Sequence, residues 1–148
     1  MTETPNPLSG RCMCGAVTVT MTPAKPEIHA CHCDMCRRWT GSVYLEIDAV
    51  PGSVKAEGPV KTFKSSDWAE RANCGQCGSP LWFHLTAPGG NLHAVSAGLF
   101  DDAGGFPLSK EIYIDRKPNG FSFVGDHVRL TEEEFETVFT YPKDGGVQ

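Results

Sequence analysis

Seven cysteines stand in three tight groups: "CMC" at Cys12 and Cys14, "CHCDMC" at Cys31, Cys33 and Cys36, and "CGQC" at Cys74 and Cys77. No other feature restricts the fold as strongly, because anything that joins these groups brings the start of the chain to its middle. Free cysteine behaves as a small hydrophobe and has no reason to cluster. The odd number of thiols, and the absence of a basic region followed by an apolar run in "MTETPNPLSG", argue against a secreted disulfide framework. Metal ligation is the better reading, and the cytoplasm is the expected compartment. In "NCGQCGSP" a glycine follows each cysteine, which lets the backbone wrap so that amides point at thiolate sulfurs, as zinc knuckles require.

Structural zinc takes four protein ligands, whereas catalytic zinc keeps three and leaves a position open. Seven cysteines therefore divide as four plus three, and spacing allows two divisions. One joins Cys12, Cys14, Cys74 and Cys77, leaving Cys31, Cys33 and Cys36 as a three-thiolate loop. The other joins Cys33 and Cys36 with Cys74 and Cys77, leaving Cys12, Cys14 and Cys31.

Between the cysteines the chain reads as β structure. "GAVTVTM", "SVYLEID", "PVKTFKS", "PLWFHL", "NLHAVSAGL" and "KEIYID" are alternating or β-rich and are bounded by Gly, Pro, Asn, Asp or Ser. Turn signals at Pro51-Gly52, Gly58-Pro59, Pro88-Gly89-Gly90 and Gly104-Gly105 come too often for βαβ units. The expectation is a mainly β, mostly antiparallel protein with short peripheral helices. One helix falls at "DMCRRWTG", ending at Gly41. The other falls at "TEEEFETVF", where Thr131 and Glu134 form a capping box. A chain of 148 residues suits one domain, placed at 8–140, with flexible tails at 1–7 and 141–148. A net charge of −5 gives no broad basic surface for nucleic acid, and no run approaches a membrane span.

"GRCMCGAV", "HACHCDMCRRWTGS" and "RANCGQCGSPLWF", in that order and spanning Gly10 to about Gly98, resemble the glutathione-dependent formaldehyde-activating enzyme family, also called the centromere-protein-V-like domain. The resemblance implies an Mss4-like zinc-containing β fold. It makes Cys12, Cys14, Cys74 and Cys77 the structural zinc ligands and Cys31, Cys33 and Cys36 the ligands of a second, catalytic-type zinc, two per chain. It implies a carbon–sulfur lyase that adds a small thiol such as glutathione to a small aldehyde such as formaldehyde. The alternative is a zinc-stabilised module that binds a thiol ligand without chemistry.

Glutathione carries two carboxylates, and Arg37 and Arg38 stand where cations could meet them, although either also reads as surface charge. Trp39 is a candidate pocket wall or a core aromatic, and Thr40, Gly41 and Ser42 offer a turn with donors toward substrate. His32 lies between two ligands, but adjacent residues point apart, which favours a role beside the metal or at the surface. Asp34 is expected to cap the turn after Cys33. His84 and His93 read as hydrogen-bonded or surface residues, and His29 and His127 show no partner. Glu132 to Glu136 read as a solvated helix face, and "LWF" at Leu81 to Phe83 reads as core, with pocket lining as the lesser possibility.

Overall fold

A computed structural model describes residues 5–138. Residues 1–4 and 139–148 lie outside it, and with them the end of the expected domain, part of the first expected tail and all of the second. The described residues form eleven strands and two α-helices. In chain order these are β1 (Leu8–Arg11), β2 (Thr18–Met21), β3 (Ile28–Cys31), α1 (Asp34–Thr40), β4 (Tyr44–Asp48), β5 (Lys55–Glu57), β6 (Val60–Ser66), β7 (Ala69–Cys74), β8 (Pro80–Leu85), β9 (His93–Ser96), β10 (Leu108–Ile112), β11 (Val128–Leu130) and α2 (Glu132–Val138).

They make a small sheet in the order β1-β2-β5 and a large one in the order β11-β10-β3-β4-β9-β8-β7-β6. Pairing is antiparallel except at β3–β10 and β10–β11, which are parallel. Side-chain alternation separates the two faces of the large sheet. Ile47, Ala72, Trp82 and Val95 share one face and pack with Val17, Val19 and Met21 into the core between the sheets. The opposite face presents Cys31, Tyr44, Arg71, Phe83 and Ala94, and α1 lies against it, contributing Cys36 to the second cluster.

Both helices carry the signals that define them. The Cys33 sulfur caps α1 by accepting the Cys36 amide at 3.3 Å, so the capping role expected of Asp34 falls to a cysteine. Gly41 ends α1 at φ 92°, a left-handed conformation that glycine adopts without Cβ strain, and its N–H reaches the Arg37 carbonyl at 2.8 Å. On α2 the Glu134 amide donates to Thr131 Oγ1 at 3.1 Å, and the Thr131 amide donates to Glu134 Oε1 at 2.9 Å, the expected reciprocal capping box.

Candidate metal centres and the cavity

The turn between β1 and β2, which carries Cys12 and Cys14, meets the end of β7 and the turn after it, which carry Cys74 and Cys77. Sγ atoms of Cys12, Cys14, Cys74 and Cys77 all lie within 4.8 Å of one another. Cys12 to Cys14 is 3.6 Å and Cys14 to Cys74 is 3.9 Å. Four thiolates arranged tetrahedrally about an ion at zinc's bond length would sit about 3.8 Å apart, which these spacings bracket. Backbone amides already aim at the sulfurs: Val17 N–H at Cys12 (3.3 Å), Ala16 N–H at Cys14 (3.5 Å), and the N–H groups of Gln76 and Cys77 at Cys74 (3.3 Å each). Such donors stabilise thiolate charge. Hydrogen bonding from the Ser79 hydroxyl, then its backbone, draws the Cys77 thiol down to about 5.

The second cluster is Cys31, at the end of β3, with Cys33 and Cys36 at the start of α1; its sulfurs also converge within 4.8 Å. Hydrogen bonds from Cys31 and Cys36 push Cys33 down to about 2. Hydrogen bonding with Cys33 and Cys36, reinforced by burial, raises Cys31 well above the usual thiol range. At Cys36 hydrogen bonding with Cys31 lowers the value, but the bond to Cys33, burial and the Cys33 charge prevail and push it up to about 12. The three sulfurs thus share one negative charge, and a dication is the natural replacement for their two protons.

A cavity of about 410 Å³ opens over this cluster. Its wall includes Phe83, Ala94 and Ile112 from the large sheet, Leu92 just before β9 and Tyr113 just beyond β10. Tyr113 has φ 58°, an uncommon conformation for a residue with a Cβ, where the chain leaves β10 for a 3₁₀ turn at Ile114–Arg116. Arg71 enters the cavity from β7. It is 5% exposed, donates from Nη1 to the Cys36 sulfur at 3.5 Å, and stacks its guanidinium 4.9 Å from the Trp39 ring and 5.3 Å from Phe83. Burial opposes its charge, but Cys36 and Cys33 outweigh that and raise its pKa. Glu46, on β4, also lines the cavity. Burial first, and then the neighbouring Asp48 and the charge on Cys33, hold its carboxyl well above the ordinary range, which favours its protonated form.

The structure separates residues that sequence placed together. Arg37 lines a smaller cavity of about 170 Å³ with His32, Gly41, Ser42 and Phe121. Arg38 is exposed, and Thr40 turns its hydroxyl to the Cys36 and Ser42 carbonyls at 3.0 and 2.9 Å. Trp39 packs 5.0 Å from Tyr44 and supports Arg71 from behind. None of Arg37, Arg38, Trp39, Thr40 and Ser42 is among the residues lining the larger cavity. His32 points away from the cysteines and is buried, 2.7 Å from Glu111 Oε1; the carboxylate's other oxygen lies 2.5 Å from His127 Nε2 and 3.2 Å from Arg129. A surface role for His32 is thereby overturned, as is the isolation of His127. His29 likewise has a partner, Glu27 at 2.6 Å. His84 and His93 stack at 3.8 Å, and His84 pairs with Asn91 at 3.0 Å. Leu81 and Trp82 are core, whereas Phe83 lines the cavity. Glu132 and Glu136 line it too, so the acidic helix is not simply a solvated face.

Arg71, Glu46 and Tyr113 were missed from sequence. Glu46 and Tyr113 sit in the β-rich runs "SVYLEID" and "KEIYID" and Arg71 opens the motif "RANCGQCGSPLWF", but such patterns fix facing and not what a face covers.

Fold and site together define a mainly β protein with two cysteine clusters suited to metal ions, one of four thiols between the sheets and one of three on a cavity. A model of the family described as glutathione-dependent formaldehyde-activating enzyme matches residues 7–116, and the chain belongs to that family, whose fold is Mss4-like. A protein of Schizosaccharomyces pombe described as an uncharacterized lyase is 30% identical over 126 residues, 84% of this chain and 91% of its own. The crystal structure of a Rhodobacter sphaeroides protein superposes with a TM-score of 0.55 at 18% identity, covering 69% of this chain and all of that one. The last comparison bears on fold alone. No helix among the described residues is long and apolar enough to cross a membrane.

Proposed function

We propose that the protein is a zinc-dependent carbon–sulfur lyase that joins a small thiol to an aldehyde, with glutathione and formaldehyde as the reference pair taken from the family's description. The observation that carries this reading is the convergence of Cys31, Cys33 and Cys36 on one wall of a 410 Å³ cavity. Three converging thiols suit a metal with one position left for an exogenous ligand. Cys12, Cys14, Cys74 and Cys77 would hold the structural zinc, and Cys31, Cys33 and Cys36 the second. Zinc bound there would lower the pKa of a thiol placed beside it.

Everything else falls to the chain. Forming R–S–CH₂OH from R–SH and H₂C=O makes one S–C bond and moves one proton from sulfur to oxygen. Arg71, already against the Cys36 sulfur, offsets thiolate charge in a buried setting. Phe83, Leu92, Ala94 and Ile112 keep the cavity wall apolar. Glu46, holding its proton at a carboxyl oxygen, is the donor available to the aldehyde oxygen as it gains charge, and it regains a proton after the thiol releases its own.

Thiols and formaldehyde combine without a catalyst, so the test is exchange NMR at equilibrium. The protein should accelerate interconversion of glutathione and its hydroxymethyl adduct, and Cys36→Ser should abolish the acceleration while leaving the fold intact. Saturable thiol binding with unchanged exchange would identify a non-catalytic module. No acceleration over a panel of thiols and aldehydes would sink the lyase reading.

A further inference from the structure

The charged groups around the larger cavity are unevenly divided. Asp34, Glu132 and Glu136 line it as carboxylates, and Arg116 is the guanidinium among them. Arg116 is already engaged: its Nε and Nη2 reach Glu132 at 3.0 and 2.9 Å, and its Nη1 lies 3.5 Å from Asp34. Arg71 lies against the thiols, where its charge answers theirs. The arginines that glutathione's carboxylates would require, Arg37 and Arg38, lie outside the lining of this cavity.

The acidic face is also fixed in place. Glu132, Phe135 and Glu136 fall on one side of α2 at helical spacing and are half-buried, while Glu133, Glu134 and Thr137 are exposed. Phe135 packs its ring 5.6 Å from Tyr113, and the Tyr113 hydroxyl donates to Glu136 at 2.9 Å. The helix is pinned over the cavity with two carboxylates turned toward it.

We propose that this acidic rim selects the thiol by charge, so that the preferred substrate is a small thiol bearing a positive group a few bonds from its sulfur, and anionic thiols are disfavoured. This rests on the thiol–aldehyde reading above and narrows it: sulfur goes to the three cysteines and Arg71, and the cationic end stays at the rim beside Glu136, where Asp34 and Glu132 share Arg116 and leave the surroundings net negative. A carboxylate-bearing thiol in the same pose would bring like charges together without a free cation among the described lining residues to answer them.

The test compares thiocholine, 2-mercaptoethanol, 3-mercaptopropionate and glutathione with formaldehyde. Thiocholine is chosen because its quaternary nitrogen cannot close a ring with the aldehyde. Two quantities are read for each thiol: acceleration over its own uncatalysed exchange, and the dissociation constant from titration of the metal-loaded protein. The expected order in both is thiocholine, then 2-mercaptoethanol, then the two anionic thiols. Glu132→Gln and Glu136→Gln should each reduce the cation-over-anion ratio about tenfold, the scale of one charge removed near a protein surface. These substitutions spare the capping residues Thr131 and Glu134. Equal or tighter binding and faster exchange with glutathione, or an order unmoved when Glu132→Gln and Glu136→Gln are combined, would overturn the charge selection while leaving the lyase reading standing. If no thiol is accelerated, both fall.

Discussion

At the scale of single residues, Glu46 is the group whose environment departs furthest from what its letter suggests. Burial, with Asp48 beside it, raises its folded-state pKa well above the carboxylate range. The native protein therefore binds a proton there that the unfolded chain releases near pH 4.3. Its contribution to stability is fully present below that pH and is lost as pH rises toward the folded value. Glu46→Gln removes this dependence. Its stability relative to the parent should increase between pH 5 and pH 8, with a slope of up to about 1.4 kcal/mol per pH unit. Urea midpoints of both proteins at the two pH values check this, and a constant difference would mean that Glu46 is ionised in the fold. In the exchange experiment the same Glu46→Gln substitution should slow adduct formation if the carboxyl delivers the proton. Cysteines were legible in the sequence because ligand spacing is local. Glu46 and Arg71 were not, since a charge buried on a strand depends on neighbours from β3, β8 and β9 that the strand itself does not name.

At the scale of elements, legibility followed the strength of local pattern. β2, β4, β8 and β9 lie within the alternating runs and β6 and β10 overlap them, while α1 ends at Gly41 and α2 begins at the Thr131–Glu134 capping box, where local signals placed those ends. β1 (LSGR), β5 (KAE) and β11 (VRL) are three or four mostly polar or half-exposed residues, and tertiary pairing supplies what their propensity lacks. β3 was hidden by the cysteines at its end, and its parallel pairing with β10 joins residues about eighty apart in sequence, a contact no local pattern carries. For α2 the local signal is also the functional one. Short isolated helices are marginal in water, and the capping box and the Phe135 contact hold the Glu132–Val138 segment in place. Thr131→Ala should cost about 1 kcal/mol, confined to this helix. Hydrogen exchange should show several-fold faster exchange of α2 amides with the large sheet unchanged, and thiol charge preference should weaken as the rim loosens. Uniformly faster exchange throughout the protein would show instead that α2 unfolds only with the whole.

At the scale of the molecule, the two cysteine clusters have different structural burdens because of where they sit. Cys12 and Cys14 belong to the β1–β2 turn of the small sheet, and Cys74 and Cys77 to the end of β7 and the turn that follows it in the large one. A metal shared by all four would clamp the sheets over their common core and close a loop of about sixty residues, which would make its binding free energy part of folding. Cys31, Cys33 and Cys36 lie within one strand–helix junction, so a metal there closes no long loop. Division of the seven cysteines into four and three was legible from spacing; which four belong together was not, since it depends on two hairpins meeting across the core. Reduced protein purified without chelator should contain about two zinc ions per chain. Cys36→Ser should retain about one and remain folded. Cys77→Ser should unfold, since structural zinc contributes on the order of 10 kcal/mol, comparable to the whole stability of a domain. Elemental analysis beside circular dichroism separates these outcomes. Equal loss of structure in both variants would mean that the three-cysteine junction also supports the fold, and the assignment of one metal to architecture and the other to chemistry would fail.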